Sequence, residues 1–271
     1  MITAEQEKGA SRQPPGAPAL QLTGITKSFP GQRDQPERVV LEDLNILVEP
    51  GEFVTLLGPS GCGKSTIFNL VAGLLQPTTG EISVDGKPIT GKPGYVGYMF
   101  QKDVLLPWRT VEKNLLLGPQ VFRRAGKDAR GEVASTLERL GLSEFAHHYP
   151  AQLSGGMRQR AAFGRTLLFH KEILLLDEPL GALDSQTREE MQEWLLEVWE
   201  ELNRTILLVS HDIEEAIFLS DRVYVMSPRP GRIQAEIEVD LPRPRTQETR
   251  LDPQFDDLRH RLYRLVRAEG S

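Results

Sequence analysis

Residues 58 to 66 read GPSGCGKST and follow directly on the apolar stretch EFVTLL. The pattern G-x-x-x-x-G-K-[ST], placed after a strand and opening a helix, is a loop whose backbone N–H groups close around phosphates. Gly58, Gly61 and Gly63 leave the backbone room to do this, while Pro59, Ser60, Cys62 and Thr66 complete the loop. Lys64 offers a point charge to the outer phosphates, and Ser65 a hydroxyl to Mg²⁺. The plainer reading is a Gly-rich turn without a ligand, and the Lys-Ser-Thr ending argues against it. A strand feeding such a loop restricts the chain to an α/β architecture that binds a nucleotide such as ATP.

Three further short apolar segments, VGYMFQ, EILLLDEP and TILLVSHD, have the brevity and punctuation of strands. Near-continuous apolar runs suit strands covered on both faces of a mostly parallel sheet, where ligands gather beyond the carboxyl ends. Gln101, Asp177, Glu178 and His211 all fall at such ends, together with the phosphate loop.

Two adjacent carboxylates at the end of a buried strand are costly unless a cation or proton is near. Mg²⁺ bound with ATP supplies that cation, so Asp177 is assigned to Mg²⁺ and Glu178 to polarising the attacking water as general base. His211 is read as reaching the γ-phosphate or orienting Glu178, and Gln101 as joining Mg²⁺ or water. Asp212 and Glu215 are expected to cap the helix after His211. For Phe29, stacking on adenine and packing in the core both remain open. Bulk added to Cys62 is expected to obstruct ATP, with maleimide inhibiting and ATP protecting.

A second phosphate-type feature lies at QLSGGMRQRAAFGRTLL, residues 152 to 168. Ser154, Gly155 and Gly156 open a helix there, and free N–H groups with the positive dipole end favour an anion. Gly164 in that helix costs about 0.5–1 kcal/mol relative to alanine, or permits close packing.

Between VGYMFQ and EILLLDEP, about residues 104 to 168, the chain is strand-poor, with helical spacing at Val133, Leu137 and Leu140 and a stop at Gly141. Met191, Leu195, Val198 and Leu202 give another helix one apolar stripe, with Asp184 as its N-cap. Prolines in SPRPGRI and LPRPRTQE suggest a turn and an extended connection. A last amphipathic helix carries Phe255, Leu258, Leu262, Leu265 and Val266 on one face, fitting a tail docked on the body, the favoured reading, or one that binds a partner. Residues 1 to 18 are polar and proline-containing and are read as a flexible extension.

Composition narrows the partners. The 32 Lys plus Arg against 38 Asp plus Glu give a formal net charge of -6, without the basic excess of a duplex-wrapping protein, so nucleic acid is not expected. One cysteine excludes an internal disulfide and fits a reducing compartment. No apolar run reaches the ~18 residues that span a bilayer.

LSGGM followed by RQR, then LLLDEP, GALD and SHD, is the arrangement of ATP-binding-cassette (ABC) ATPases, and the chain resembles that family from about residue 20 to 235. The resemblance implies a P-loop ABC core with a mostly parallel sheet, an N-terminal antiparallel β part and a helical subdomain. It divides the chain into the extension 1–18, an ATPase domain 19–235 with its helical part at about 104–168, and a C-terminal extension 236–271. It implies that Ser154, Gly155 and Gly156 cap ATP held by an opposite subunit, in a head-to-tail homodimer that closes on ATP and opens after hydrolysis. By the same resemblance Asp184 communicates between the sites, Gln101 links Mg²⁺ to the helical subdomain, and Phe29 stacks on adenine.

Within the family, FQKDVLLPWRTVEKNL, LSGGMRQR and SPRPGRI…VDLPRPR are similar to the importer ATPases of the nitrate, sulfonate and taurine group. That similarity implies a two-copy membrane permease docking near LLPWRTV and an extracytoplasmic substrate-binding protein. The chain is then peripheral, at the cytoplasmic face of the membrane. A soluble cassette ATPase acting on nucleic acid or ribosomes is the alternative, but such proteins usually carry two cassettes or a coiled coil in one.

Overall fold

In the strand Ile173–Asp177, Leu174 and Leu176 are buried in one apolar cluster, while Ile173 and Leu175 are buried in another. Side chains alternate across a strand, so an unbroken apolar run is what a sheet covered on both faces requires. The same division holds elsewhere: Phe53 and Leu57 against Val54 and Leu56, Ile206 and Leu208 against Leu207 and Val209. Each such Leu or Ile contributes roughly 1.5–3 kcal/mol on burial.

The computed structural model describes residues 16–31, 36–122, 127–181 and 183–267. The stretch 1–18 expected to be flexible lies, up to residue 15, outside the described residues. In chain order the elements are β1 (Leu20–Phe29), β2 (Arg38–Val48), β3 (Phe53–Leu57), α1 (Lys64–Val71), β4 (Thr79–Val84), β5 (Lys87–Pro88) and β6 (Gly97–Met99). Then follow α2 (Val111–Leu115), α3 (Leu117–Val121), α4 (Lys127–Arg139), α5 (Gly155–Leu167), β7 (Ile173–Asp177), α6 (Ser185–Leu202) and β8 (Thr205–Ser210). The chain continues through α7 (Ile213–Leu219), β9 (Arg222–Met226), β10 (Ile233–Glu238) and α8 (Pro253–Arg267).

A six-stranded sheet runs in the order β10-β9-β3-β8-β7-β6, parallel throughout except for β10, which pairs antiparallel with β9. A four-stranded antiparallel sheet, β2-β1-β4-β5, forms the N-terminal part. One cluster fills the space between the two sheets and α1; the other joins the opposite face of the large sheet to the helices.

The segment 104–168 contains α2, α3, α4 and α5 and no strand among the described residues. Gly141 ends its α4 turn at φ +64°, a left-handed conformation that glycine adopts without steric cost. Gly164 sits where α5 meets α4, and a Cβ there would come within 2.4 Å of Leu140 Cδ1, so its absence permits the close packing.

After β9 the chain is tied more firmly than an extended connection. Strand β10 crosses the expected division at residue 235, because Ile233, Ala235 and Ile237 alternate as an edge strand against Met226, Val225 and Val223. Beyond it Arg245 is buried and donates to five carbonyls, those of Ile217, Phe218, Ser220, Val239 and Leu241. Burial, with the Arg243 charge adding to it and Asp221 and Glu200 opposing, pulls its pKa down to about 10. Phe255 and Leu262 of α8 are buried in the larger cluster, with Leu258, Leu265 and Val266 packed beside them.

Candidate functional site

Strand β3 runs straight into the phosphate loop, and β7 and β8 on its flank end beside it. Lys64, first residue of α1, is buried, and its ammonium donates to the carbonyls of Gly58 at 2.7 Å and Pro59 at 3.0 Å. Gly63 precedes it at φ +114°, and a Cβ there would fall 2.5 Å from Leu41 Cδ2. Ser60 and Ser65 are exposed, with Thr66 half-buried behind them.

Cys62 departs from expectation. Its side chain is 1% exposed and belongs to the cluster between the sheets, with Sγ 3.9 Å from the Lys64 ammonium. Burial also pushes the thiol pKa up, opposing thiolate formation. A buried thiol held from ionising reacts slowly, so the expected maleimide block of ATP binding requires the loop to open first.

Asp177 ends β7, buried, with Oδ1 3.5 Å from the Ser65 hydroxyl and Oδ2 accepting from the Tyr98 hydroxyl at 3.3 Å. Burial raises its pKa, and these two hydrogen bonds oppose the rise. The next residue, Glu178, takes the left-handed conformation at φ +45°, costly for a residue with a Cβ and frequent at functional sites. Its N–H is fixed by the Val209 carbonyl at 3.1 Å. The Glu178 carboxylate accepts from Gln101 Nε2 at 2.9 Å and lies 3.6 Å from His211 Nδ1. Thus the strand ends of β6, β7 and β8 bring Gln101, Glu178 and His211 together.

Ser154, Gly155 and Gly156 lie at the start of a different helix. Ser154 is the N-cap of α5, its hydroxyl accepting from Met157 N at 3.3 Å. A Cβ on Gly156 would meet Thr187 Cγ2 at 2.8 Å, because the start of α6 packs closely there. Asp184 caps α6 by accepting from Thr187 N at 3.1 Å, which holds its carboxyl below the usual range. Phe29 is half-buried at the end of β1, with the Lys27 ammonium 4.9 Å from its ring centroid.

The family described as ABC transporter matches residues 41–181 of this chain. A nitrate import ATP-binding protein of Synechocystis sp. is 42% identical over 258 residues, covering 93% of this chain and 96% of that protein. An aliphatic sulfonates import ATP-binding protein of Bacillus cereus is 42% identical over 251 residues, covering 93% and 97%. Among solved structures, the dimeric post-hydrolysis state of the ATP-binding cassette MJ0796, bound to ADP and Pi, aligns with a TM-score of 0.70 at 32% identity, covering 81% of this chain and 98% of that one.

The chain belongs to the ABC transporter family. It is the ATP-binding, ATP-hydrolysing subunit type of that family, and its two sheets and helices build the ABC cassette fold. No described helix is long and apolar enough to cross a membrane.

Sequence reasoning missed three residues of this ABC cassette. Tyr98 reads as one more apolar position of VGYMFQ, yet its hydroxyl reaches Asp177. Glu215 is not a cap: Asp212 alone caps α7, accepting from Glu214 N and Glu215 N. Instead the buried Glu215 carboxylate accepts from Ser210, whose oxygen also takes the Asp212 N–H, so it braces the turn that carries His211. Burial raises the Glu215 pKa to about 7. Arg188 of α6 donates to the Leu183 carbonyl at 2.9 Å and lies 3.8 Å from Asp212, joining the turn before Asp184 to the turn of His211.

Proposed function

We propose that this ATPase works as a homodimer that drives a two-copy membrane permease importing a small anion, with an extracytoplasmic binding protein delivering the solute. The observation that carries the reading is a division within one chain. Gln101, Glu178 and His211 meet beside the phosphate loop, whereas Ser154, Gly155 and Gly156 open a helix packed on the other helices and on β6. In the proposed pair each chain's Ser154–Gly156 closes over ATP held by its partner, and the dimeric cassette above supports that arrangement. Placement at the cytoplasmic face of the membrane follows from the permease partnership.

Within each site Lys64 exchanges its bonds to the Gly58 and Pro59 carbonyls for phosphate oxygens, and the loop N–H groups from Gly58 to Thr66 surround the phosphates. The Ser65 hydroxyl and Asp177 carboxylate offer the hard oxygen donors that Mg²⁺ prefers, and their closeness fits that ion with few protein ligands. Gln101 adds a carboxamide from the helical side. Mg²⁺ there supplies neutralisation of the charge developing on the outer phosphates. Glu178 holds the attacking water and accepts its proton, and His211 orients Glu178 or the γ-phosphate. Phe29 stacks on adenine in this reading, with the Lys27 ammonium moving off its ring. Asp184 faces the partner across the dimer.

The names of the relatives support nitrate or an aliphatic sulfonate as the class of cargo. Co-expression with a candidate permease tests the proposal: a membrane complex is expected whose ATPase activity rises with loaded binding protein. Stimulation by RNA or DNA, with no permease retained, overturns it.

A further inference from the structure

Strand β6 offers two hydrogen-bond donors to two consecutive carboxylates on its neighbour. Tyr98 gives its hydroxyl to Asp177, and Gln101, just past the strand end, gives its amide to Glu178. Parallel pairing sets this register, with Tyr98 opposite Leu175 and Met99 opposite Leu176, so β6 ends level with the carboxylates. The Tyr98 ring is held on two sides, stacked on Phe100 at 4.1 Å and edge-on to Phe68 of α1 at 5.7 Å. Phe68 belongs to the helix that begins with Lys64 and Ser65.

We propose that Tyr98 is a positioning residue for the divalent cation: its hydroxyl fixes the Asp177 carboxylate so that Oδ1 stays turned to Ser65. The inference rests on the reading of Asp177 and Ser65 as the Mg²⁺ donors. A carboxylate on a single rotatable bond loses orientational freedom when each oxygen has its own partner, and outer hydrogen-bond partners of metal ligands are worth about 10–100-fold in metal affinity. Here Ser65 engages Oδ1 and Tyr98 engages Oδ2. Because Tyr98 and Gln101 leave the same strand, the cation site and Glu178 are set by one element, the one that leads into the helices.

Tyr98→Phe removes the hydroxyl and keeps the ring between Phe68 and Phe100. Mn²⁺ binding in the presence of ADP, followed by electron paramagnetic resonance, is expected to weaken about 10-fold. Metal-free ADP affinity and Tm are expected to match the unmodified chain. Asp177→Asn serves as the second variant, and Tyr98→Phe added to it is expected to cost nothing further. Unchanged Mn²⁺ affinity in Tyr98→Phe, with a loss in Asp177→Asn, overturns the role of Tyr98 and leaves the Asp177 reading standing. A fall in metal-free ADP binding equal to that for Mn²⁺ also overturns it. Wild-type Mn²⁺ affinity in Asp177→Asn removes the underlying reading itself.

Discussion

Gln101 Nε2 donates to Glu178 Oε2 at 2.9 Å, so the residue that leads out of β6 toward the helices holds the carboxylate at the end of β7. Gln101→Ala is expected to lower kcat by about 10-fold or more while the KM for ATP changes little, since the lost contact orients a proton acceptor rather than the nucleotide. A rise in KM with kcat unchanged assigns Gln101 to nucleotide binding instead.

Glu178 is held in a left-handed conformation, with its backbone locked to Val209 and its carboxylate between Gln101 and His211. Replacing it by Gln keeps size and a carbonyl oxygen that accepts from Gln101 but removes the proton acceptor. Turnover is expected to fall by roughly 10²–10⁴-fold with ATP binding preserved, as measured by phosphate release and nucleotide titration. Hydrolysis near the wild-type rate in that variant leaves the chemistry without this base.

Local signals account for what the sequence revealed. The motif GPSGCGKST, the apolar runs and the Asp184 cap each depend on neighbours a few residues apart, and each stands where the spacing put it. What was not legible depends on contacts between distant residues. Tyr98 meets Asp177 across 79 positions of sequence, and its apolar surroundings hid a polar tip. Glu215 has the spacing of a capping residue, but the depth of α7 against the sheet turned it inward to Ser210. Strand β10 has the alternation of Ile233, Ala235 and Ile237, but the prolines on either side read as a turn and an extended connection and concealed it.

The buried Glu215 carboxyl predicts a pH dependence of stability. Its folded pKa, about 7, exceeds its ordinary 4.5, chiefly through burial, with Asp212 adding to the rise and Ser210 and Arg188 opposing it. Below the ordinary value the group is protonated whether folded or not, and its contribution to stability is complete. As the pH climbs to about 7, the unfolded chain releases a proton that the folded chain keeps, so stability is lost until the folded carboxyl ionises too. Glu215→Gln stays neutral throughout and is expected to flatten the urea-unfolding midpoint between about pH 5 and pH 8. Identical slopes in both proteins exclude Glu215 as the source.

Cys62 illustrates how position in a motif and position in space differ. The thiol lies in the phosphate loop by sequence but in the core between the sheets by packing, 1% exposed. Native protein is therefore expected to react with maleimide only through transient opening, and the urea-unfolded chain at once. Fast labelling of the native chain, followed by mass spectrometry, contradicts this burial.

The helix start at Ser154 provides the decisive separation between the two phosphate features. Its hydroxyl caps α5 from an exposed position, and its partners are Met157 and the helix itself rather than any residue from Gly58 to Thr66. If that helix end serves the partner's ATP, a bulky cation there leaves the chain's own nucleotide untouched. Ser154→Arg is expected to bind ATP as a monomer with affinity within about 3-fold of the unmodified chain, after allowance for a cap loss of ~1 kcal/mol in stability. ATP-driven dimerisation, followed by size-exclusion chromatography in the Glu178→Gln background, is expected to disappear, and hydrolysis with it. Loss of ATP binding already in the monomer places Ser154 at its own chain's nucleotide and removes the case for a shared site.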